Sequence, residues 1–265
     1  MFGTALRFVG NTTLGLLADT GALWRLTASA SERLFIGPLR GERPRFRSTI
    51  IQSVRAGYDS LPLVSLICLL VGMIMALQSA YQLRQLGAME LVPSLVAISV
   101  TRELAPLLTA IIVAGRVGSA IAAELGTMKV SQEVDALTVM GIDPVSFLVV
   151  PRLVALVIAL PCLTVFADVI GILGGMLVSV TMLGMGSSWY VAFTFDSLDL
   201  QDIITGLVKA GVFAGIIGLI GCHQGLATEG GAEEVGRSTT ASVVRSIVLI
   251  IGADLFVTAL FYLRG

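Results

Sequence analysis

Charged side chains are scarce in this chain. They make up 13% of its 265 residues, whereas 55% of the residues are hydrophobic and the mean hydropathy is +0.93. Soluble globular domains carry about twice that share of charge. Two uncharged runs, Ser60 to Leu83 and Val169 to Phe195, are each long enough to cross the roughly 30 Å hydrocarbon core of a bilayer. The composition therefore argues against a soluble domain and predicts an integral membrane protein.

The residues that usually carry catalysis or bind metals are also few. There are three cysteines and one histidine, without the spacing of a disulfide framework or a metal site. Neither of the two lysines follows a glycine, so no phosphate-binding P-loop is present. No Ser/His/Asp or Cys/His set can be assembled. We expect a non-enzymatic chain that binds no cofactor and takes its energy from a partner subunit or an ion gradient.

The order of apolar segments predicts an all-α membrane protein. Residues 1–56 form an amphipathic region, in which Phe2 to Phe35 has the pattern of helices that lie in the membrane interface, and residues 57–265 form the transmembrane domain. The third span is long enough to be tilted, or to break near Pro161. The five predicted spans are Leu61 to Leu83, Leu91 to Ile121, Ser146 to Leu183, Ile203 to Gly225 and Val243 to Tyr262.

The distribution of charge predicts the orientation of the chain. Eight arginines fall within the first 55 positions, which places the N-terminus in the cytoplasm by the positive-inside rule. An odd number of spans then places the C-terminus outside, in the periplasm of a bacterium. The loop before the fourth span agrees, since it carries Asp196, Asp199 and Asp202 and no basic residue. The near-neutral net charge of −1 gives no reason to expect nucleic acid as a partner.

A polar segment, Ala122 to Pro144, interrupts the apolar spans on the predicted cytoplasmic side. Its apolar residues recur at helical spacing, its acidic residues lie opposite them, and Gly141 and Asp143-Pro144 end the pattern. A short amphipathic helix within about 124–143 is predicted, either as a docking element or as a plain connector on the lipid surface. The apolar residues are Val130, Val134, Leu137 and Met140.

Small residues recur every fourth position in the second span. Similar pairs occur at Gly171/Gly175 and Gly211/Gly215. Such faces let helix backbones approach closely, so we expect tight packing within one subunit for most of them and a homodimer contact for the rest. The stripe in the second span consists of Ala110, Ala114, Gly118, Ala122 and Gly126.

Four ionisable residues lie inside apolar spans: Arg102, Glu103, Lys209 and Asp254. A charge at the bilayer centre costs about 2.5 to 3.5 kcal/mol on insertion scales, so these side chains should be paired. We expect Glu103 or Asp254 to neutralise Arg102 or Lys209 across helices. The pairs either hold the bundle together or line a transport path, and periodicity does not separate the two.

The region Thr101 to Arg152 carries three specific motifs: RELxP, AGRxGSAxxAELG and MGIDP. Together they resemble the signature of the MlaE/YrbE permeases, the membrane subunits of MCE-type ABC lipid transporters. The resemblance extends from about Gly57 to the C-terminus. It implies an all-α permease of the bacterial inner membrane that moves phospholipids between the inner and outer membranes and so maintains outer-membrane lipid asymmetry.

The resemblance also implies partners. The permease would be a homodimer joined to two copies of a cytoplasmic ABC ATPase, which binds ATP and magnesium, and to a hexameric MCE protein in the periplasm. A small STAS-domain protein often joins the ATPase. The segment Ala122 to Pro144 would correspond to the coupling helix that docks on the ATPase.

By the same resemblance, Arg102, Glu103, Lys209 and Asp254 match the family's intramembrane charges. The positions that match its lipid cavity are Met75, Leu83 and Leu104. Gln82 and Arg84, at the outer end of the first span, are more polar than the residues that the family leads us to expect there. The residues expected to contact the ATPase are Lys129, Glu133, Asp135, Leu137 and Met140. The alternative function is an ion-coupled secondary carrier that uses the four intramembrane charges as its relay; the absence of broken midplane helices in inverted repeats favours the ABC permease.

Overall fold

A computed structural model describes residues 21–33 and 46–264 of the chain. Throughout these residues the regular structure is helical. The helices are α1 (residues 21–33), α2 (Phe46–Gly57), α3 (Leu61–Gln85), α4 (Val92–Ser99), α5 (Ala105–Val113), α6 (Ser119–Val130), α7 (Glu133–Val139), α8 (Val150–Thr181), α9 (Ser187–Ser197), α10 (Leu200–Leu226) and α11 (Ala232–Arg264).

Five helical segments of the described chain are long and apolar enough to cross a membrane, which confirms an all-α, multi-pass membrane protein. The second segment is longer than predicted, since it continues to Val130. Pro161 does not break the third, because α8 runs through it. The five segments are Thr49–Gln85, Met89–Val130, Val145–Thr181, Leu200–Leu226 and Ala232–Leu263.

Consecutive segments run in opposite directions, which gives the bundle two ends. At the α7 end, α7 joins the second segment to the third, and α3 begins. At the α9 end, α9 joins α8 to α10. The helix α1 lies at the α7 end, where Arg33 forms an ion pair with Asp143 at 2.8 Å, and its Trp24 is 74% exposed. The rest of the predicted interfacial region, residues 2–20 and 34–35, lies outside the described residues.

The second and third segments contain three wide π-helical turns. Val100–Leu104 and Ala114–Gly118 interrupt the second segment, and Val145–Val149 begins the third. Pro106 follows the first of them. Because proline has no N–H, it cannot donate to the carbonyl of Arg102 four residues earlier, and the helix widens in the preceding turn, where the Ala105 N–H donates to the Val100 carbonyl. The first intramembrane charges therefore lie on a local irregularity of the helix.

Glycine sets the contact between α3 and α8. A Cβ atom added at Gly72 would lie 1.9 Å from the carbonyl oxygen of Gly171, and one at Gly174 would lie 2.2 Å from the carbonyl oxygen of Leu69. Both distances are to backbone atoms, which cannot rotate away. The two helices therefore approach as closely as they do only because these positions lack side chains.

The stripe of small residues in the second segment is buried from Ala110 to Gly126, which confirms tight packing within the chain. There Gly118 faces Ile217 of α10. The pair Gly211 and Gly215 behaves differently, since a Cβ at either position would have no neighbour within 4 Å. Among the described residues, these two glycines therefore do not mark a close helix contact.

The connection α9 is anchored by Tyr190, whose side chain is fully buried. Its hydroxyl donates to the carbonyl of Ile172 on α8 at 3.4 Å. Burial raises the pKa of the Tyr190 phenol to about 12, because the charged phenolate is disfavoured away from water. The anchor therefore stays protonated at physiological pH.

We predict that Gly72→Ala destabilises the protein, since the new methyl group must push α3 away from α8. Overpacking of this kind costs about 1 to 3 kcal/mol. The measurement is the thermal unfolding midpoint of the detergent-purified chain, with Gly252→Ala as control, because a Cβ at Gly252 meets open space. Equal midpoints for the two variants would contradict the close contact.

Candidate functional site

The first part of the candidate site is a buried lysine held between two carboxylates. Lys209 of α10 is fully buried, and its Nζ lies 2.5 Å from Glu103 Oε2 and 2.9 Å from Asp254 Oδ1. Glu103 comes from the wide turn Val100–Leu104, and Asp254 comes from α11. Thr258 of α11 donates a hydrogen bond to the other oxygen of Glu103 at 3.2 Å. The structure thus joins three membrane segments through one cation, as the predicted pairing across helices requires.

Arg102 has a different partner from those expected. Its Nη1 lies 3.5 Å from Asp202 Oδ1, and not beside Glu103 or Asp254. Asp202 was assigned to a loop by its sequence, but α10 begins at Leu200, so Asp202 lies in the first helical turn. Its other oxygen accepts from the Asp199 N–H at 3.1 Å as half of a capping box.

A close helix contact positions these charges. A Cβ atom at Gly206 would lie 2.5 Å from the carbonyl oxygen of Thr101, so α10 lies directly against the wide turn that carries Arg102 and Glu103. Lys209 follows Gly206 by almost one turn. At 1.5 Å per residue, Lys209 lies about 14 Å from the start of α10, well inside the membrane segment.

The charges of the cluster are not balanced, and they are not equally buried. Two cations face three carboxylates, which leaves a formal charge of −1. The Arg102 and Glu103 side chains are 38% and 39% exposed, whereas the Lys209 side chain is fully buried. Asp254 Oδ1 is near Lys209 but is not oriented to accept a hydrogen bond from it. Arg102 is therefore the cation of this cluster that an anionic ligand can reach.

The three positions predicted for a lipid cavity differ in burial. Leu83 is 7% exposed and is part of the packed core. Met75 and Leu104 are partly buried and pack against that core. Leu104 belongs to the same wide turn as Arg102 and Glu103, so it adjoins the charge cluster.

The predicted coupling segment forms a helix that is shorter than expected. The first part of 124–143 belongs to α6, which ends at Val130. Gln132 then adopts a left-handed backbone with φ of 60° and restarts the chain as α7, which has seven residues. A Schellman motif ends α7, in which Gly141 has φ of 74° and the Ile142 N–H donates to the Leu137 carbonyl at 2.9 Å.

The break at Gln132 changes which side chains of α7 face inward. Val134 is buried and Leu137 is partly buried, but Met140 is 65% exposed, so the predicted apolar stripe does not continue to Met140. Glu133 is exposed and accepts from Ser131, and Lys129 pairs with Asp135 at 2.8 Å. The surface of α7 therefore combines acidic groups with exposed apolar ones.

One intramembrane acid was missed in the sequence. Asp168 lies within α8, and its buried Oδ1 has no hydrogen-bond partner. The signal was present as a single carboxylate in the apolar run VFADVIG. Within residues 21–33 and 46–264, no group of three His, Cys, Asp or Glu side chains is placed to hold a metal ion.

Comparison with known proteins covers nearly the whole chain. A probable ABC transporter permease protein of Rickettsia bellii is 40% identical over 254 residues, which cover 96% of each chain. A probable ABC transporter permease protein of Synechocystis is 38% identical over 245 residues, covering 91% of this chain and 93% of the relative.

A plant protein is also similar. The chloroplastic protein TRIGALACTOSYLDIACYLGLYCEROL 1 of Arabidopsis thaliana is 40% identical over 220 residues, which cover 83% of this chain and 63% of the relative. The sequence pattern of the family described as Permease MlaE matches residues 49–260. With that match, and with ABC transporter permeases as relatives along the same span, the chain belongs to the MlaE permease family.

Proposed function

We propose that this chain is the permease subunit of an ABC transporter that moves phospholipids between the inner and outer membranes of a bacterium and so maintains outer-membrane lipid asymmetry. The observation that carries the proposal is the charge cluster around Lys209, inside segments that are otherwise apolar. Phospholipids combine a charged headgroup with apolar chains. A polar cluster at membrane depth, with one accessible cation, suits such a ligand.

Arg102 is the proposed contact for the lipid phosphate. Its side chain is 38% exposed, and its ion pair with Asp202 is long at 3.5 Å. Guanidinium groups bind phosphate oxygens through two parallel hydrogen bonds. Met75 and Leu104, both partly buried, are the proposed apolar lining, and Leu104 adjoins Arg102. The third predicted position, Leu83, is buried in the packed core instead. The plant relative supports a lipid substrate, because its name contains that of a diacylglycerol lipid.

The charge distribution supports the proposed orientation. By the positive-inside rule, the α7 end faces the cytoplasm, the N-terminus is cytoplasmic and the C-terminus is periplasmic. Exposed Arg84 lies at the α9 end, at the end of α3. The basic residues at the α7 end include Arg33, Arg55, Arg116, Lys129, Arg152 and Arg237.

Transport of this kind needs an ATPase, and the ABC transporter permeases among the relatives imply one. We place its contact at α7 and the residue that follows it, where Glu133, Asp135 and Met140 are exposed. Lys129 and Leu137 hold the helix in position. In this proposal two ATPase copies bind the ATP and magnesium. A periplasmic MCE hexamer and a STAS-domain protein complete the assembly.

A second copy of the chain is part of the proposal. In the apolar 18-residue stretch of α11, 11% of the residues are buried within the chain. The corresponding share in the other four segments is 28% to 50%. A homodimer would cover part of this surface. If α11 and the wide turn face the partner, the exposed sides of Arg102 and Glu103 would lie in a space between the two subunits.

The central test is phospholipid transport by the complex in proteoliposomes. We expect Arg102→Gln to slow transport about tenfold or more, since hydrogen bonds to charged groups contribute about 1.5 to 3 kcal/mol. Arg84→Gln is the control, because Arg84 is exposed at the α9 end. Transport that runs on an ion gradient without ATP would instead support a secondary carrier.

The Lys209 cluster gives a further prediction. Lys209→Met leaves Glu103 and Asp254 without their cation, which costs roughly 3 to 5 kcal/mol by analogy with buried pairs in soluble proteins, so the yield of folded protein should fall. The triple variant Lys209→Met, Glu103→Gln, Asp254→Asn should recover folding but not transport. Expression, thermal unfolding and transport are measured together. Recovery of transport in the triple variant would assign the cluster a structural role only.

The proposed ATPase contact is tested at α7. Glu133→Lys with Asp135→Lys should reduce co-purification of the ATPase and lipid-dependent ATP hydrolysis, because charge reversal at a complementary contact costs several kcal/mol. Membrane insertion should not change. The control is Glu90→Lys, at the α9 end. Full ATPase binding and hydrolysis in the double variant would exclude α7 as the docking element.

A further inference from the structure

A second polar site lies at the α7 end of the bundle, apart from the Lys209 cluster. A cavity of about 200 Å³ opens between α2, α6 and α8. Three arginines line it: Arg55, Arg116 and Arg152. Along the second segment, Arg116 is fourteen residues from Arg102, which is about 21 Å at 1.5 Å per residue. The two sites therefore belong to opposite halves of the membrane.

Arg152 is the most deeply buried of the three arginines. The residue is 7% exposed, its Nη2 donates to Glu124 Oε2 at 3.0 Å, and its Nη1 donates to the Leu148 carbonyl at 2.8 Å. Its Nε is buried and has no hydrogen-bond partner. A buried donor on a charged group destabilises the protein when it has no acceptor. An acceptor bound beside this nitrogen would remove that cost.

The other two arginines have donor capacity left. Arg116 donates to Ser60 Oγ at 3.1 Å, and it lies 3.5 Å from Asp59, while its side chain is 41% exposed. Arg55 is exposed and forms no ion pair with any residue in the described part of the chain. The carboxylates that line the cavity are Asp59 and Glu124, so the cations exceed the anions by one.

We propose that this cavity binds a phosphate group, carried either by an anionic lipid headgroup or by free phosphate. Guanidinium groups match phosphate geometry with paired N–H donors. The walls are apolar at Val117, Ile121 and Leu156, which suits the glycerol carbons of a lipid. The cavity is smaller than the roughly 300 to 1,000 Å³ that hold drug-sized ligands. It therefore takes a headgroup, whereas acyl chains remain outside it.

The test is lipid retention by the full-length chain in detergent, measured by native mass spectrometry. Phosphatidylglycerol should bind at least about tenfold more tightly than diacylglycerol, which lacks the phosphate. Arg55→Gln with Arg116→Gln should weaken phosphatidylglycerol binding about tenfold, and Arg84→Gln should not change it. Thermal unfolding checks that each variant is folded. If the double variant does not fold, Arg55→Gln alone gives the same comparison, since Arg55 forms no ion pair with the described residues.

Two further measurements identify the source of the phosphate and the site. Displacement of phosphatidylglycerol by millimolar inorganic phosphate supports free phosphate as a ligand, and retention under that competition supports the lipid headgroup. Arg55→Gln with Arg116→Gln must weaken phosphatidylglycerol binding equally when Arg102→Gln is also present. That result distinguishes binding in this cavity from binding at the proposed transport site. Equal binding of diacylglycerol and phosphatidylglycerol, or an equal loss with Arg84→Gln, overturns the proposal.

Discussion

A charged lysine inside a membrane is acceptable only when carboxylates surround it, and much of this structure follows from that constraint. Lys209 has no exposed surface, so Glu103 and Asp254 must reach it from two other membrane segments. Because hydrocarbon offers no competing hydrogen bonds, these contacts fix the relative position of three helices more strictly than apolar packing does. The wide turn at Val100–Leu104 and the glycine at position 206 are the local features that allow the contact.

Apolar packing in this protein depends on the absence of side chains. Lipid tails are as apolar as leucine, so burial of apolar groups gives little driving force for helix association in a membrane. Close van der Waals contact must replace it. Gly72 and Gly174 supply such contact between α3 and α8, and the small residues of the second segment supply it against α10 and α11. Gly211 and Gly215 do not provide such a contact among the described residues, since a Cβ at either position would meet open space.

The fold followed from hydropathy because a run of about 20 apolar residues has few structural solutions. The pairing of Lys209 also followed, since its possible partners were few. The sequence could not show that Asp202 belongs to a helix and reaches Arg102, because that depends on where α10 begins. Nor could it show the left-handed Gln132, which shortens α7 and leaves Met140 exposed. Asp168 was visible in the sequence, but its lack of a hydrogen-bond partner depends on three-dimensional packing.

The two carboxylate oxygens of Asp202 have different partners. Oδ2 accepts from the Asp199 backbone and caps the start of α10, and Oδ1 faces Arg102 at 3.5 Å. The bond from the Asp199 N–H to Oδ2 does not involve Arg102. The cap at the start of the helix that carries Lys209 is therefore independent of the Arg102 ion pair, and loss of that pair would leave the first turn of α10 in place.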